Sequence, residues 1–81
     1  MISLARRVLP LGEPPVSRER ALEIARRECD ERGWQWVEPV EATERLRHWE
    51  VLTRARSRGA NVRVHVSKRD GTVLLATQSP R

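Results

Sequence analysis

A change in the spacing of the apolar residues, close to residue 33, is the feature that most limits what this chain can fold into. From residue 18 to residue 32 the apolar residues follow one helical stripe. From residue 47 to residue 77 they alternate with polar residues, which is typical of half-buried strands. We therefore expect an α+β fold, in which one amphipathic helix packs on a three- or four-stranded antiparallel meander.

The predicted helix covers residues 18–32, with Ser17 as its N-cap and Gly33 just after its end. The residues of its apolar stripe are Ala21, Leu22, Ile24, Ala25 and Cys29. Cys29 on this stripe is most simply a small core residue. The helix should lie across the inner face of the sheet, with Trp49 central in the contact.

The strands are predicted from the alternating segments. A first strand is expected at residues 34–37, at a sheet edge or at a bulge because Pro39 limits its ladder. Residues 41–45 are expected to form a loop or one helical turn. The ranges predicted for the other strands are 47–56, 61–67 and 72–77, with turns at 57–60 and 68–71. Because a short meander has two edges and few devices to block them, we expect one edge to pair with a partner or a second copy. The competing expectation is that residues 2–8 of the N-terminal arm cover an edge.

The chain of 81 residues has room for one domain. Residues 1–16 contain several prolines and a glycine and are expected to form an arm with a short strand or turn near residues 3–9. Residues 17–78 form the domain, and residues 79–81 are expected to fray. The apolar share of 38% and the charged share of 33% are those of a soluble protein with a small core.

The single cysteine indicates the cytoplasm, because small domains of oxidising compartments usually carry several cysteines. Arg6 and Arg7 follow a short apolar stretch, which reverses the order found in a signal peptide. No segment approaches the roughly 20 apolar residues of a membrane span. We therefore expect neither export nor contact with a membrane.

Motifs for catalysis, metal ligation or cofactor binding are missing from the sequence. If Ala55 pairs with Val62, the imidazoles of His48 and His65 lie roughly 13 Å apart along the sheet and cannot share an ion. We expect a protein that is not an enzyme and holds no cofactor and no metal.

Basic residues concentrate in the second part of the chain. Residues 1–50 carry nine arginines and ten acidic residues, whereas residues 51–81 carry seven basic residues and one acidic residue, a net charge of +6. Arg54, Arg56 and Arg58 fall on one face of a predicted strand, with Arg54 opposite Arg63. The simplest interpretation of these four arginines is a solvated face whose charges are screened by water and salt. They are also the candidate site for an anionic partner, either an acidic protein or, as the less favoured alternative, a nucleic acid.

Trp34, Trp36 and Trp49 are the aromatic residues other than histidine. Trp34 and Trp36 share one face of one predicted strand, and a core this small has difficulty enclosing both together with Trp49. Trp34 and Trp36 are therefore candidate interface aromatics.

The order of SRERALEIARRECDERG, WEVLTRA and NVRVHVSKRDGTVLLA resembles the PepSY group and related small cystatin-like modules. The resemblance covers residues 17–76 and implies a helix-on-sheet fold. It also implies a module that binds and modulates or inhibits partner proteins, often peptidases, and catalyses nothing. The chain departs from the pattern at Ser67, where an Asp commonly precedes the turn. Compact bacterial immunity proteins have a similar hairpin.

These observations favour a non-catalytic protein-binding module, inhibitory or regulatory, that uses an exposed sheet face or edge. The alternatives are a nucleic-acid-binding protein that uses the arginine hairpin 54–63, and an immunity protein that neutralises a toxin. A homodimer is compatible with the first hypothesis.

Overall fold

The computed structural model of the protein describes residues 15–80. In this range it has one helix, α1 (Arg18–Arg32), and four strands, β1 (Glu41–Glu44), β2 (His48–Leu52), β3 (Val62–Ser67) and β4 (Val73–Gln78). The strands form one antiparallel sheet in the order β1-β2-β3-β4, and α1 contacts all four of them. The predicted α+β fold, a helix on an antiparallel meander, is confirmed.

Both ends of α1 lie where the sequence predicts them. The Oγ of Ser17 accepts a hydrogen bond from the N–H of Arg20 at 3.0 Å. Gly33 has a φ of 73°, in the left-handed region that glycine adopts without strain. The N–H of Trp34 then donates to the carbonyl of Cys29 at 2.8 Å. These bonds satisfy backbone groups that a helix end leaves unpaired.

The core lies between α1 and the inner face of the sheet. The helix contributes the small side chains of Ala21, Ala25 and Cys29, each fully buried, so its backbone approaches the sheet closely. The alternation predicted for β2 and β3 places every second side chain against the helix. The residues that the sheet buries there are Trp49, Val51, Val62, Val64 and Val66.

Two predictions for the segment after α1 are wrong. Residues 34–37 form no strand, and residues 41–44, predicted as a loop or helical turn, form β1. The N–H of Trp34 is used by the helix end, and the carbonyls of Val37 and Pro39 accept from the loop after β2, at 2.9 Å each. The charged segment that follows becomes a strand because an edge position leaves its side chains exposed while its backbone pairs with β2.

The predicted strand 47–56 ends early. β2 stops at Leu52, and the register differs by two residues from the predicted one, so that Leu52, and not Arg54, lies opposite Arg63. The chain turns away at Arg54, which has a φ of +48°. The predicted strand 72–77 is found as β4, with a register shift opposite His65 and Val66.

Asn61 explains why β2 ends early. Its side-chain Nδ2 donates to the carbonyls of Thr53, Arg54 and Ser57 at 2.8, 2.9 and 3.2 Å. These bonds fold residues 53–61 into a closed loop, where the sequence pattern predicts further strand and a tight turn. A single amide side chain thus replaces strand pairing as the partner of these carbonyls.

The predicted strand or turn near residues 3–9 and the predicted edge cover by residues 2–8 lie outside the described residues. Val16, at the start of the described range, is buried and accepts a hydrogen bond at its carbonyl from Nε1 of Trp49 at 2.9 Å. Its N–H donates to the carbonyl of Lys68 at 3.1 Å. Within residues 15–80, no helix has the length and apolar character needed to cross a membrane.

Candidate functional site

The backbone pattern shows which groups of β4 face away from the sheet. The N–H of Ser79 donates to the carbonyl of Asn61 at 2.8 Å, which sets the alternation of bonded pairs between β3 and β4. In an antiparallel ladder every second residue bonds to the neighbouring strand. In β4 the residues between the bonded ones, Ala76 and Gln78, therefore direct their N–H and C=O groups away from β3.

β4 lacks the features that protect a sheet edge. Its six residues include no charge and no proline. Leu74 is 56% exposed and Leu75 is 40% exposed. Native edge strands are usually kept from pairing by short length, charged side chains or proline. Within residues 15–80, β4 is therefore an edge open to another strand.

β1 carries the protection that β4 lacks. It is four residues long, and it begins and ends with the exposed glutamates Glu41 and Glu44. The carboxylate of Glu44 lies 2.8 Å from the Nζ of Lys68. Pro39 stands two positions before the strand and cannot donate a hydrogen bond. The two edges of the sheet thus differ in chemistry.

An ion cluster centred on Glu50 covers part of the outer face of the sheet. One carboxylate oxygen of Glu50 lies 3.0 Å from Nη2 of Arg45, and the other lies 3.0 Å from Nε of Arg63. The imidazoles of His48 and His65 stack beside this cluster, with their centroids 4.2 Å apart and their planes at 19°. The predicted separation of roughly 13 Å is wrong because the register is shifted by two residues.

The stacked histidines and Cys29 lack the partners that metal or thiol chemistry needs. In the described part of the chain, no group of three or more His, Cys, Asp or Glu side chains is placed to hold a metal ion. Burial, and then the charges of Asp30 and Glu28, raise the pKa of the Cys29 thiol. The thiol therefore stays protonated in the core and is a poor nucleophile.

Burial and the charged neighbours shift two pKa values in the cluster. Burial, then His48, Arg63 and Arg45, lower the pKa of His65, while Glu50 acts in the opposite direction. For Glu50, burial acts to raise the pKa. The hydrogen bond from Arg45 and the surrounding positive charges outweigh burial and hold this pKa below its ordinary value.

The stability of the protein should fall as the pH decreases from about 7.5 to about 5.5. His65 has a lower pKa in the folded protein than in the unfolded chain, so the unfolded chain binds more protons in this window. The stabilisation is complete above the unfolded pKa and is lost as the pH falls through the folded one. Urea unfolding at a series of pH values measures this slope, and His65→Gln should flatten it. A His65→Gln variant with the full slope would contradict the assignment to His65.

The four candidate arginines do not form one surface. Arg63 lies on the outer face of the sheet, in the ion cluster. Arg54 is half-buried beside the end of α1, and Arg56 and Arg58 are exposed on the loop 53–61. The predicted alignment of Arg54, Arg56 and Arg58 on one strand face is wrong, because β2 ends before them. The predicted pairing of Arg54 with Arg63 is wrong for the same reason.

Trp34 and Trp36 are both half-buried and pack against the core from the connection between α1 and β1. The guanidinium of Arg32 lies 5.1 Å from the ring centroid of Trp34, and that of Arg26 lies 5.9 Å from the ring centroid of Trp36. Each indole therefore has one face near a cation and part of its surface exposed. Their role in an interface stays a prediction.

The sequence predicts that a sheet edge is used but does not identify the residues of β4 as that edge. The signal that could have identified this edge is the uncharged segment VLLATQ, which follows Gly71 and Thr72. Each of the other predicted strands has a charged residue within it or directly beside it. Order in the sheet decides which strand is an edge, and a strand pattern does not contain that order.

Comparison with known proteins gives no match, since no protein-family model, no curated protein and no solved structure is similar to this chain.

Proposed function

We propose that the protein is a non-catalytic binding module that accepts an extended segment of a partner protein as a fifth strand along β4. The observation that supports this proposal is the open β4 edge, with outward backbone groups at Ala76 and Gln78 and exposed side chains at Leu74 and Leu75. Backbone hydrogen bonds to an added strand supply affinity, and alternate side chains of that strand supply specificity.

An acidic partner segment fits this edge best. The protein has a net charge of +5, and residues 51–81, which include β3 and β4, carry +6. A second copy of the chain would bring the same positive charge to the contact, whereas Asp and Glu side chains around an apolar strand would be attracted. Such complementarity raises the association rate and fixes the orientation of a partner. A partner of opposite charge is therefore favoured over a homodimer.

The nucleic-acid alternative has less support. It needed a ribbon with several arginines on one face, whereas Arg63 is paired with Glu50, and Arg54 faces the end of α1.

The resemblance to PepSY and cystatin-like modules stays a proposal, as does a toxin-neutralising role, and strand addition depends on neither. A cytoplasmic location is also proposed, from the single buried cysteine.

Proline at position 76 should abolish strand addition. A displayed library of random linear peptides, selected on the immobilised protein, supplies the probes. The selected peptides should alternate apolar residues and carry Asp or Glu. Because the Ala76 N–H faces away from β3, Ala76→Pro removes an outward donor and leaves the existing ladder intact. Binding of the selected peptides, measured by calorimetry, should weaken at least about tenfold.

Ala42→Pro is the matched control. Ala42 occupies the equivalent outward position on β1, because the N–H of Arg45 donates to the carbonyl of His48 at 2.8 Å and sets the alternation of that ladder. This variant should bind the selected peptides like the parent. Equal weakening by the two prolines, or full binding by Ala76→Pro, would overturn the assignment to β4. Selection of basic peptides would overturn the proposed partner chemistry.

A further inference from the structure

A cavity of about 340 Å³ opens between the end of α1, the loop 53–61 and the last residues of β4. It adjoins the β4 edge at Gln78, while its other walls come from the connection after α1, the loop 53–61 and the residues after β4. Its volume is in the range of cavities that hold small ligands or single side chains. The residues that matter for its chemistry are Trp34, Gln35, Arg54, Gln78 and Ser79.

Arg54 contributes a positive charge to the cavity wall and carries one buried donor. Its Nε is buried, and no residue in the range 15–80 accepts a hydrogen bond from it. A buried donor without an acceptor costs free energy, and more so when it belongs to a charged group. Arg54 is one of the residues that line the cavity, so its positive charge acts on a ligand bound there.

The backbone conformation of Arg54 is one that residues other than glycine rarely adopt. Its φ of +48° lies in the left-handed region, which a residue with a Cβ adopts only when the surroundings impose it. The Arg54 N–H donates to the carbonyl of Val37 at 2.9 Å, and the Arg54 carbonyl accepts from Asn61 at 2.9 Å. The backbone of Arg54 is thus held beside the cavity by hydrogen bonds of its N–H and its carbonyl.

The walls of the cavity suit an anion of a single charge. The guanidinium of Arg54 is their one charged group among the described residues, and no carboxylate lies in them. The amides of Gln35 and Gln78 and the hydroxyl of Ser79 add hydrogen-bond donors. A carboxylate would neutralise one guanidinium and match its fork of donors, whereas a phosphate would keep an unpaired charge in a partly buried site.

We infer that this cavity binds a carboxylate group through Arg54. The carboxylate has two sources, a free small carboxylic acid or a peptide, which offers its C-terminus or an acidic side chain. The inference does not rest on strand addition at β4. The Ala76→Pro variant should therefore bind carboxylates like the parent. Peptide binding at β4 and carboxylate binding in the cavity can then be lost and measured separately.

The test follows the side-chain N–H signal of Arg54 by ¹⁵N–¹H NMR on the full chain. The probes are acetate, a short peptide with a free C-terminus, the same peptide amidated, an end-blocked peptide with one internal Asp, and inorganic phosphate. A carboxylate should shift the Arg54 Nε–H signal saturably, and the amidated peptide without an acid should not. The probe with the lowest Kd identifies the source of the carboxylate.

Arg54→Gln should weaken carboxylate binding about 10- to 100-fold, the expected loss of charge-assisted hydrogen bonds. Arg58→Gln is the matched control, since it removes the same charge from an exposed position on the same loop and should bind like the parent. Arg54→Lys keeps the charge and loses the planar fork, and it should also bind more weakly. The shift of the Arg54 Nε–H signal is measured on the parent protein. It therefore tests the inference even if a variant fails to fold.

Three results would overturn the inference. The Nε–H signal could stay unmoved by every carboxylate, which would give Arg54 a structural role at the end of α1. The amidated peptide could shift the signal as strongly as the free acid, which would assign the cavity to a neutral ligand. Phosphate could bind more tightly than every carboxylate, which would assign it to a phosphate group.

Discussion

Replacing Trp49 with alanine should lower the free energy of unfolding by about 3 to 5 kcal/mol. Trp49 is 7% exposed and belongs to the core between α1 and the sheet, so its removal leaves a cavity that small neighbours such as Ala25 cannot fill. Its Nε1 also donates to the carbonyl of Val16 at 2.9 Å. A domain of this size has a total stability of about 5 kcal/mol, so the variant should be largely unfolded.

Trp49→Phe separates the two contributions of this side chain. Phenylalanine keeps most of the apolar contact and loses the hydrogen bond to the Val16 carbonyl, so the loss should be smaller, about 1 to 2 kcal/mol. Urea unfolding followed by circular dichroism measures both variants. A Trp49→Ala protein that melts within a few degrees of the parent would show that the indole is not a central part of the core.

Asn61→Asp should destabilise the protein by about 2 to 3 kcal/mol, although the two side chains have the same shape. The amide of Asn61 donates to the carbonyls of Thr53, Arg54 and Ser57. A carboxylate in its place has no donor, and its negative charge faces these carbonyl oxygens. The loop 53–61 should open, and the signal of the Arg54 side chain should broaden or move.

Arg47→Gln controls for the change in charge, because it lowers the net charge equally at an exposed position. This control should stay within about 0.5 kcal/mol of the parent. Thermal unfolding of the two variants, measured at one pH, gives the comparison. Equal stability of the Asn61→Asp and Arg47→Gln proteins would show that the amide does not hold the loop.

The helix was predictable to its ends because its signals are local. Ser17 and Gly33 act within a few residues of their own position, and the apolar stripe is read directly from the chain. The alternation in β2 and β3 was equally readable, since the faces of a strand follow from period two. The sides of β2 and β3 that face the core therefore agree with the prediction, even where the register does not. In β4 the register shift places Leu75, which the pattern assigns to the core, at an exposed position.

The register and the first strand depend on contacts between distant residues. The bonds from Asn61 to the loop carbonyls end β2, and the use of the Trp34 N–H by the helix end keeps residues 34–37 out of the sheet. An alternating pattern contains neither contact. A shift of two residues keeps every side chain on its face, so the pattern could not reveal the error that separated His48 from His65.

The chemical character of the candidate site was predictable from the sequence, whereas its position in the fold was not. The charge of residues 51–81 and the shortage of edge protection indicated a basic surface and an open edge. The strand order that makes β4 the edge, and the left-handed turn that puts Arg54 beside the cavity, are properties of the folded chain. Residue types alone grouped Arg54 with Arg63, which the structure separates.

The inequality of the two sheet edges also sets how large an assembly of this chain can grow. A sheet with two open edges can add strands without limit. A sheet that accepts a strand at one edge alone stops after the first addition. If the proposed strand addition takes place at β4, the exposed Glu41 and Glu44 disfavour a second addition at β1. We then expect one segment per chain, without growth of a filament through the sheet.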